Sequence, residues 1–352
     1  MLIFAPLVNH EHYMHRCLQL AKLGAGYVAP NPIVGAVLVY GDTIIGEGYH
    51  RQYGSAHAEV NCINSVQPDM QAFIPLSTLY VSLEPCSHFG KTPPCTNLIL
   101  EKKIKNVVVA CGDPFEKVNG SGIRQLKAAG VTVIEGILEK EARELNKRFF
   151  TFHQKQRPYI VLKWAQTQDG FIAGPGFEPL AISNYCSNVF THKMRAEASA
   201  ILVGTNTALH DNPNLSTRNW PGNNPLRIVI DKHLKLPEHL HLFTDGQGTV
   251  VLNYLKEETK GPVYYHKVER DQDLLGQLLQ YLYEQQLQSV LVEGGSILLE
   301  SFIKKKCWDE AVVITNNNLH IKQGIKGPAL PTINPVAQST VLTDSIQIFR
   351  NP

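Results

Sequence analysis

His57-Ala58-Glu59 and Leu83-Glu84-Pro85-Cys86, followed by Cys95, are the stretches around which the first half of the chain is organised. One imidazole and two thiolates make a ligand set suited to Zn²⁺, and three protein ligands leave the fourth tetrahedral position open for water. Zinc lowers the pKa of a bound water to about 7, so a nearby carboxylate can take up the proton that the water releases. We therefore predict a catalytic zinc site with His57, Cys86 and Cys95 as ligands and Glu59 as the general acid/base.

The surroundings of the two candidate ligand cysteines favour the ionised thiolate. Pro93-Pro94 precedes Cys95, which predicts that Cys95 begins a helix whose N-terminal dipole lowers the pKa of its thiol. A closed structural site with Cys62 or His88 as a fourth ligand is the alternative at this point. The remaining cysteines have apolar or isolated surroundings and are predicted to be small core residues: Cys17, Cys111, Cys186 and Cys307.

Strands and helices alternate around these motifs. Apolar patterns predict strands at 33–40, 43–49, 79–83, 107–110 and 131–135, and helices around 13–21, from 57, at 95–102 and at 122–129. This order predicts an α/β sandwich with a largely parallel sheet.

The second half alternates in the same way. Strands are predicted at 159–164, 200–203, 226–230, 249–252, 289–292 and 311–315, and helices at 189–198, 274–286 and 297–305. Between the halves, the polar stretch RFFTFHQKQRP at 148–158 ends on a proline that stops a helix. We predict one domain over 1–148, a linker over 149–157 and a second α/β domain over 158–352.

Length, charge and cysteine content exclude several classes of protein. A length of 352 residues suits two domains, and 33 basic against 31 acidic side chains give no bulk attraction to nucleic acid or to an acidic membrane. Seven scattered cysteines favour a reducing cytoplasm over a disulfide framework. The N-terminus lacks a basic export-signal region, and the longest apolar runs fall well short of the ~20 residues that span a bilayer. We expect a cytoplasmic protein with neither a nucleic-acid nor a membrane partner.

The motifs also carry a family resemblance. His-x-Glu with a later Pro-Cys unit is the signature of zinc-dependent deaminases, in which the glutamate is the acid/base and not a ligand. Here the two cysteines enclose the eight-residue loop SHFGKTPP instead of a Cys-x-x-Cys spacing. Together with Pro30-Asn31-Pro32-Ile33-Val34-Gly35 and Gly46-Glu47-Gly48-Tyr49-His50, this arrangement resembles the bacterial bifunctional riboflavin-biosynthesis deaminase/reductases, over nearly the whole chain.

The resemblance implies a fold and two activities. It implies an N-terminal cytidine-deaminase-like α/β/α sandwich, which is a zinc-dependent deaminase with one Zn²⁺, and a C-terminal dihydrofolate-reductase-like α/β domain that uses NADPH. The deaminase of this family removes an amino group from a diaminopyrimidinone that carries a phosphoribosylamino side chain. The reductase then converts the ribosyl chain to a ribityl chain. The implied partner is a phosphorylated pyrimidine, and we expect a homo-oligomer, either a dimer or a tetramer.

The resemblance also implies site residues. Asn31, His50 and Lys91 match deaminase positions near the substrate's ribose and phosphate. The matching reductase positions form two sets. The positions near the substrate are Lys163, Arg195, Leu215, Arg218 and Glu293. The positions near the cofactor are Ala165, Thr207, Asp211, Gly295, Ser296 and Ile297. Lys163 lies on the strand that borders the nicotinamide. Some members have a serine and a tryptophan where this chain has Pro179 and Ala181, so those two contacts are not carried over.

Taken without the resemblance, the second half carries weaker signals. Glu293-Gly294-Gly295-Ser296 follows a predicted strand and opens a helix, a turn at which backbone amides and the helix dipole can receive an anion. Arg218 closes a loop of small polar residues and suits bidentate phosphate binding. Two alternatives remain at this stage: a zinc nucleobase or nucleic-acid deaminase with an accessory ligand-binding domain, and a zinc-stabilised ligand sensor without catalysis.

Overall fold

A computed structural model describes residues 9–115 and 120–352, which divide into two compact units between Lys155 and Gln156. The first unit contains six α-helices, a 3-10 helix at Pro68–Leu76 and five strands among its described residues. The helices are α1 (His10–Lys22), α2 (Ala58–Asn64), α3 (Cys95–Glu101), α4 (Ser121–Ala128), α5 (Glu139–Leu145) and α6 (Lys147–Lys155). The strands are β1 (Gly35–Tyr40), β2 (Thr43–Tyr49), β3 (Thr78–Val81), β4 (Asn106–Val109) and β5 (Thr132–Glu135).

The sheet of the first unit has the order β2-β1-β3-β4-β5 and is mixed. β3, β4 and β5 are parallel, but β1 pairs antiparallel with both β2 and β3. The prediction of a largely parallel sheet is therefore wrong for this edge. The two-residue turn Gly41-Asp42 joins β1 to β2 as a hairpin, with Gly41 in the left-handed region at φ +56°.

The alternating side chains of these strands bury two faces. Ala36 and Leu38 of β1 belong to one core, whereas Val37 and Val39 belong to the other. The first core contains residues of α2, α3 and α4, and the second contains residues of α1, α5 and α6. Helices thus cover both faces of the sheet, which is the expected α/β/α sandwich.

The segment predicted as a linker, 149–157, differs in structure from that expectation. Its first seven residues lie in α6, and Phe149 and Phe150 are buried in the core that contains α1. The polar residues of RFFTFHQKQRP lie between aromatic residues that repeat with helical spacing, so the segment forms an amphipathic helix. Only 156 and 157 of the predicted linker lie beyond the first unit.

The second unit contains five α-helices and twelve strands. The helices are α7 (Tyr185–Glu197), α8 (Thr205–Asp211), α9 (His241–Thr244), α10 (Leu274–Glu284) and α11 (Ser296–Lys304). The first six strands are β6 (Tyr159–Thr167), β7 (Phe171–Ala173), β8 (Ala200–Gly204), β9 (Leu226–Ile230), β10 (Thr249–Asn253) and β11 (Glu258–Lys260). The other six are β12 (Val263–Lys267), β13 (Ser289–Val292), β14 (Glu310–Asn316), β15 (Ile325–Lys326), β16 (Ala337–Val341) and β17 (Asp344–Arg350).

Ten of these strands form one sheet in the order β11-β12-β10-β9-β8-β13-β6-β14-β17-β16. The strands from β12 to β14 in this order are parallel, and antiparallel strands close both edges. All six predicted strands and all three predicted helices of the second half are present. The carboxyl ends of β6, β8 and β13 meet at one edge, where open α/β sheets bind ligands.

Within the described parts of the chain, no helix combines the length and the apolarity needed to cross a bilayer.

Candidate active sites

The first unit brings the three predicted zinc ligands together. His57 caps the N-terminus of α2, Cys86 lies in the loop after β3, and Cys95 is the first residue of α3. Nδ1 of His57 lies 3.5 Å from Sγ of Cys86 and 3.4 Å from Sγ of Cys95, and all three ligand atoms lie within 4.8 Å of one another. A tetrahedral zinc with ordinary bond lengths separates such atoms by roughly 3.5–3.8 Å, so the donor set fits this metal.

The closed four-ligand alternative lacks a fourth donor in the cluster. Among residues 9–115 and 120–352, neither Cys62 nor His88 belongs to the metal-binding group. Cys62 is buried in the core beside α2, and this burial raises the pKa of its thiol. Three protein ligands therefore leave one coordination position for water, as a catalytic site requires.

The two thiols differ in acidity. A hydrogen bond from Cys95 lowers the pKa of Cys86 to about 4, against the opposing effect of burial, and the backbone N–H of Cys95 also donates to Sγ of Cys86 at 3.4 Å. The hydrogen bond with Cys86, together with burial, raises the pKa of Cys95. Without a bound metal, the pKa of Cys95 is thus shifted opposite to the lowering expected from the helix start, because its thiol is engaged with Cys86 and is buried.

Glu59 lies in the first turn of α2 and is only 3% exposed. Burial raises the pKa of its carboxyl group, the nearby Cys86 adds to this effect, and His57 opposes it. A carboxyl group with a raised pKa exchanges protons more readily near neutral pH than an ordinary glutamate does. The structure thus places a suitable acid/base beside the three candidate ligands.

Asn31 and His50 lie next to this cluster. The His50 ring is 5.3 Å from the His57 ring, and its two nitrogens lie 3.1 Å from the carbonyl oxygen of Ala56 and 3.1 Å from Nδ2 of Asn31. Burial lowers the pKa of His50, which favours a neutral ring that donates to Ala56 and accepts from Asn31. Lys91 extends over Tyr53, with its ammonium nitrogen 4.0 Å from the ring centre.

Two residues of this unit were not singled out from the sequence. Oγ1 of Thr92 lies 3.4 Å from Nε2 of His57, where it can orient the ring that presents Nδ1 to the sulfurs. The buried Glu84 carboxylate accepts backbone N–H groups of Asp113, Gly120, Gly122 and Ile123. Glu84 thereby joins the loop before Cys86 to the start of α4, and its position beside Pro85-Cys86 was the available signal.

The second unit contains a cavity of about 980 Å³ at the carboxyl ends of its parallel strands. All six residues predicted to contact the cofactor line it, as do two of the predicted substrate residues: Ala165, Thr207, Asp211, Gly295, Ser296 and Ile297, with Lys163 and Glu293. Arg195, Leu215 and Arg218 are not among the lining residues. The sequence positions therefore converge on one cavity, with part of the proposed substrate set outside its lining.

Glu293 forms the charged centre of this region. Both of its oxygens accept from Arg195, at 2.7 and 2.8 Å, and Nζ of Lys163 lies 3.9 Å from one of them. Burial disfavours the carboxylate, but the charges of Arg195 and Lys163 outweigh it and lower the pKa of Glu293 to about 2. Burial also lowers the pKa of Lys163. The cluster holds Glu293 ionised.

The loop that carries Leu215 and Arg218 meets this cluster at Ser216. The Ser216 carbonyl accepts from Nη1 of Arg195 at 3.1 Å, and the Ser216 hydroxyl accepts from Nη1 of Arg218 at 3.4 Å. Leu215 is buried in the core with φ at +55°. Its side chain packs in that core, and the residue as a whole is only 2% exposed.

The turn between β13 and α11 has the properties of a phosphate-binding turn. A Cβ at Gly294 would lie 2.7 Å from Cδ2 of Leu298, and one at Gly295 would lie 3.4 Å from Oγ1 of Thr207. Gly295 also caps the nine-residue helix α11, whose N-terminus attracts negative charge. The cavity and this turn fit a dinucleotide such as NADPH. Pro179 and Ala181 line the cavity without an aromatic ring.

One expectation about the remaining cysteines is wrong. Cys17 and Cys111 are buried as predicted, and Cys307 is partly buried, but Cys186 is exposed. Cys186 is the second residue of α7 and is not one of the residues that this amphipathic helix buries.

Comparison with known proteins matches both units. Residues 7–111 match the family model described as the cytidine and deoxycytidylate deaminase zinc-binding region, and residues 158–317 match the RibD C-terminal domain. These two matches correspond to the zinc-ligand cluster and to the cavity-bearing unit.

Full-length relatives cover most of the chain. The riboflavin biosynthesis protein RibD of Aquifex aeolicus is 40% identical over 308 residues, which are 86% of this chain and 85% of that protein. The RibD of Bacillus amyloliquefaciens is 38% identical over 309 residues, covering 85% of this chain and 82% of that one.

Solved structures agree with this match. The crystal structure of a diaminohydroxyphosphoribosylaminopyrimidine deaminase/5-amino-6-(5-phosphoribosylamino)uracil reductase from Thermotoga maritima superimposes with a TM-score of 0.89 at 34% identity, covering 97% of this chain and 99% of that one. One form of RibD from Acinetobacter baumannii gives a TM-score of 0.87 at 28% identity, with the same coverage.

Proposed function

The chain belongs to the RibD family of riboflavin-biosynthesis proteins. We propose which of its residues carry out each of the two reactions of this family. The protein is a bifunctional enzyme, a zinc-dependent deaminase in its first unit and an NADPH-dependent reductase in its second. Membership favours this function over a nucleic-acid deaminase and over a ligand sensor without catalysis.

The first unit acts on the diaminohydroxyphosphoribosylaminopyrimidine for which the Thermotoga relative is named. His57, Cys86 and Cys95 hold Zn²⁺, which when bound supplies a hydroxide near neutral pH. Glu59 takes the proton of the attacking water and delivers it to the departing amine, so that ammonia leaves. Asn31 and the neutral His50 orient the substrate beside Glu59, and Lys91 binds its phosphate.

The second unit reduces the deaminated product, the 5-amino-6-(5-phosphoribosylamino)uracil named for the same relative. NADPH supplies the two electrons when bound in the cavity lined by Ala165, Thr207, Asp211 and the start of α11. Lys163 and the ionised Glu293 face the same cavity and orient the ribosyl chain. Arg195 holds Glu293 in place. Arg218 and Leu215 contribute to substrate binding from the adjoining loop.

The distance set of His57, Cys86 and Cys95 is the observation that carries the deaminase assignment. Replacing Cys95 with serine in the full-length protein tests it, because a hydroxyl is a poor zinc ligand. We expect loss of stoichiometric zinc and of ammonia release, with NADPH oxidation on the deaminated product retained. Retention of zinc and of deamination in Cys95→Ser would contradict the ligand assignment.

We also propose a homo-oligomer, a dimer or tetramer, in the cytoplasm. The edge strand β16 is largely exposed, and the large apolar residues Val336 and Leu342 on either side of it are 56% and 74% exposed. Pairing of such an edge with a second copy would cover these side chains. A reducing cytoplasm suits two ligand thiols. Sedimentation equilibrium tests the assembly, and a monomer at all concentrations would contradict it.

A further inference from the structure

Two aromatic side chains stack on each other in the cavity of the second unit. The rings of Phe177 and His210 have centroids 5.0 Å apart and planes inclined by only 12°, and both residues line the cavity. Phe177 belongs to the loop between β7 and α7, whereas His210 lies in the last turn of α8. The contact therefore joins two walls of the cavity that are separate in sequence.

Phe177 has an unfavourable backbone conformation in this position. Its φ of +66° lies in the left-handed region, which side chains other than glycine rarely adopt. The N–H of Phe177 donates to the Gly174 carbonyl at 3.2 Å, and the N–H of Gly174 donates to the Glu178 carbonyl at 3.0 Å. This turn fixes the loop at the strained residue. The loop thus keeps the Phe177 ring in the cavity wall despite the cost of this backbone conformation.

The exposure of Phe177 points in the same direction. Phe177 is 38% exposed, although a large apolar side chain is more stable when fully buried. Trp164 also lines the cavity, but it is only 5% exposed and its Nε1–H donates to Gln166 at 2.9 Å. Phe177 and His210 are thus the stacked ring surface that the described cavity lining offers to a ligand.

Planar nitrogen heterocycles bind well to such a surface. Offset stacking on an aromatic side chain adds affinity beyond the area that it buries, and an apolar cavity with a few polar groups is typical of cofactor sites. The polar groups here include Thr207 and the glycine turn between β13 and α11, which has the properties of a phosphate-binding turn. The rings of the cofactor remain without an assigned stacking partner.

We propose that Phe177 and His210 form an aromatic wall that stacks against a heterocyclic ring of the bound dinucleotide and sets the affinity of the reductase unit for its cofactor. This inference rests on the proposed function, in that the cavity is taken to be the NADPH site. It adds two specificity-determining residues that the sequence motifs did not indicate.

The experiment measures NADPH dissociation constants on the full-length protein by quenching of tryptophan fluorescence. Phe177→Leu keeps an apolar side chain but removes the ring, and Phe177→Tyr keeps the ring. We expect Phe177→Leu and His210→Leu each to weaken NADPH binding roughly 3- to 10-fold, the range of one aromatic stacking contact. Phe177→Tyr and the control Tyr185→Leu, an exposed residue outside the cavity lining, should stay within about twofold of wild type.

A second probe identifies the ring. 2′-Phospho-ADP-ribose carries the adenine and the phosphates of NADPH but no nicotinamide. If Phe177→Leu weakens NADPH but not this probe, the wall holds the nicotinamide, and if it weakens both equally, the wall holds the adenine. Either result supports the proposal, and steady-state kinetics should show the same change in the KM for NADPH rather than in kcat.

The outcomes separate this inference from the assignment on which it rests. If the wild-type protein does not bind NADPH, the cofactor cavity itself is wrong. If the wild type binds NADPH while folded Phe177→Leu and His210→Leu bind it within twofold of wild type, the aromatic wall is overturned. Thermal unfolding reports the folding of each variant, and His210→Leu provides the same comparison should Phe177→Leu fail to fold.

Discussion

Glu59 shows how the position of a single residue gives it a chemical role. The two-residue spacing from His57 places it in the first turn of α2, and burial there raises the pKa of its carboxyl group. The same helix start positions the imidazole, so the ligand and the proton carrier keep a fixed relation to each other. This relation could be predicted from the sequence because three residues within one helix start leave little conformational freedom.

Glu59→Gln is expected to lose deamination by a factor of roughly 10²–10⁴, the usual contribution of a positioned acid/base. Glutamine has the shape of glutamate but cannot carry the proton, so zinc content and the thermal unfolding temperature should remain at the wild-type level. Ammonia release measures the loss, and NADPH oxidation on the deaminated product serves as the internal control. Unchanged deamination in Glu59→Gln would contradict the proposed proton transfer.

The ion pair between Arg195 and Glu293 can be tested by removing one or both of its charges. Arg195→Met leaves the buried Glu293 carboxylate without its bidentate partner, which typically costs about 3–5 kcal/mol. The double variant Arg195→Met/Glu293→Gln removes the charge as well and should recover part of this loss. Urea unfolding of the full-length protein measures both values. A double variant that is no more stable than Arg195→Met would argue against the charge as the cause.

The pH dependence of this pair has a defined direction. Because the pKa of Glu293 is lowered to about 2, the carboxylate stabilises the fold above the unfolded-state pKa of about 4.3. That contribution is lost as the pH falls from about 4 through 2. Glu293→Gln should therefore show a smaller loss of stability than wild type over this range in urea unfolding at stepped pH. Parallel losses in the two proteins would contradict the lowered pKa.

Among the strands, continuous apolar runs were informative and the exposed edge was not. The central strands could be recognised because both faces of the sheets are covered, which makes their sequences almost continuously apolar. β16 and β17 were not predicted because neither has such an apolar run. α6 was taken for a linker because its polar residues hid the buried face of Phe149, Phe150 and Phe152. Glu84 was quoted only as part of a motif, since its four backbone donors lie far away in sequence.

The contact between α4 and the loop before Cys86 can be tested by adding a methyl group at Gly122. A Cβ at Gly122 would lie 2.0 Å from the Pro85 carbonyl oxygen, so Gly122→Ala must displace the loop that carries Cys86. We expect a loss of about 1–3 kcal/mol in stability and weaker zinc retention. Thermal unfolding and zinc content measure these effects.

Gly90→Ala is the matched control, because it lies in the loop between the two ligand cysteines and its added Cβ would come no closer than 4.0 Å to a neighbour. This variant should keep both stability and zinc. Equal stability and equal zinc content in the two alanine variants would contradict a steric contact between α4 and the loop.

For the whole molecule, each unit has its own sheet and its own buried cores, and each reaction is assigned to residues of one unit. The near-neutral charge of +2 agrees with local phosphate-binding groups rather than a broad basic surface. The division into two α/β halves and the zinc-ligand cluster followed from sequence motifs, whereas the residues proposed for the second site followed from the family resemblance. The Phe177–His210 stack could not, because it depends on a left-handed backbone residue and on the approach of two distant segments.

Removal of zinc should therefore separate the two activities. Dialysis against a chelator is expected to abolish ammonia release, while NADPH oxidation on supplied 5-amino-6-(5-phosphoribosylamino)uracil stays within about twofold, and added zinc restores deamination. A parallel loss of both activities, with the second unit still folded by circular dichroism, would contradict their independence.

One chain first deaminates and then reduces the same phosphorylated pyrimidine. The most direct measurement supplies the diaminohydroxyphosphoribosylaminopyrimidine with and without NADPH and follows ammonia release and NADPH oxidation separately. We predict ammonia release without NADPH, and NADPH oxidation that begins only as deaminated product accumulates. A protein that carries stoichiometric zinc and releases no ammonia, or that oxidises NADPH without prior deamination, would contradict this order of reactions.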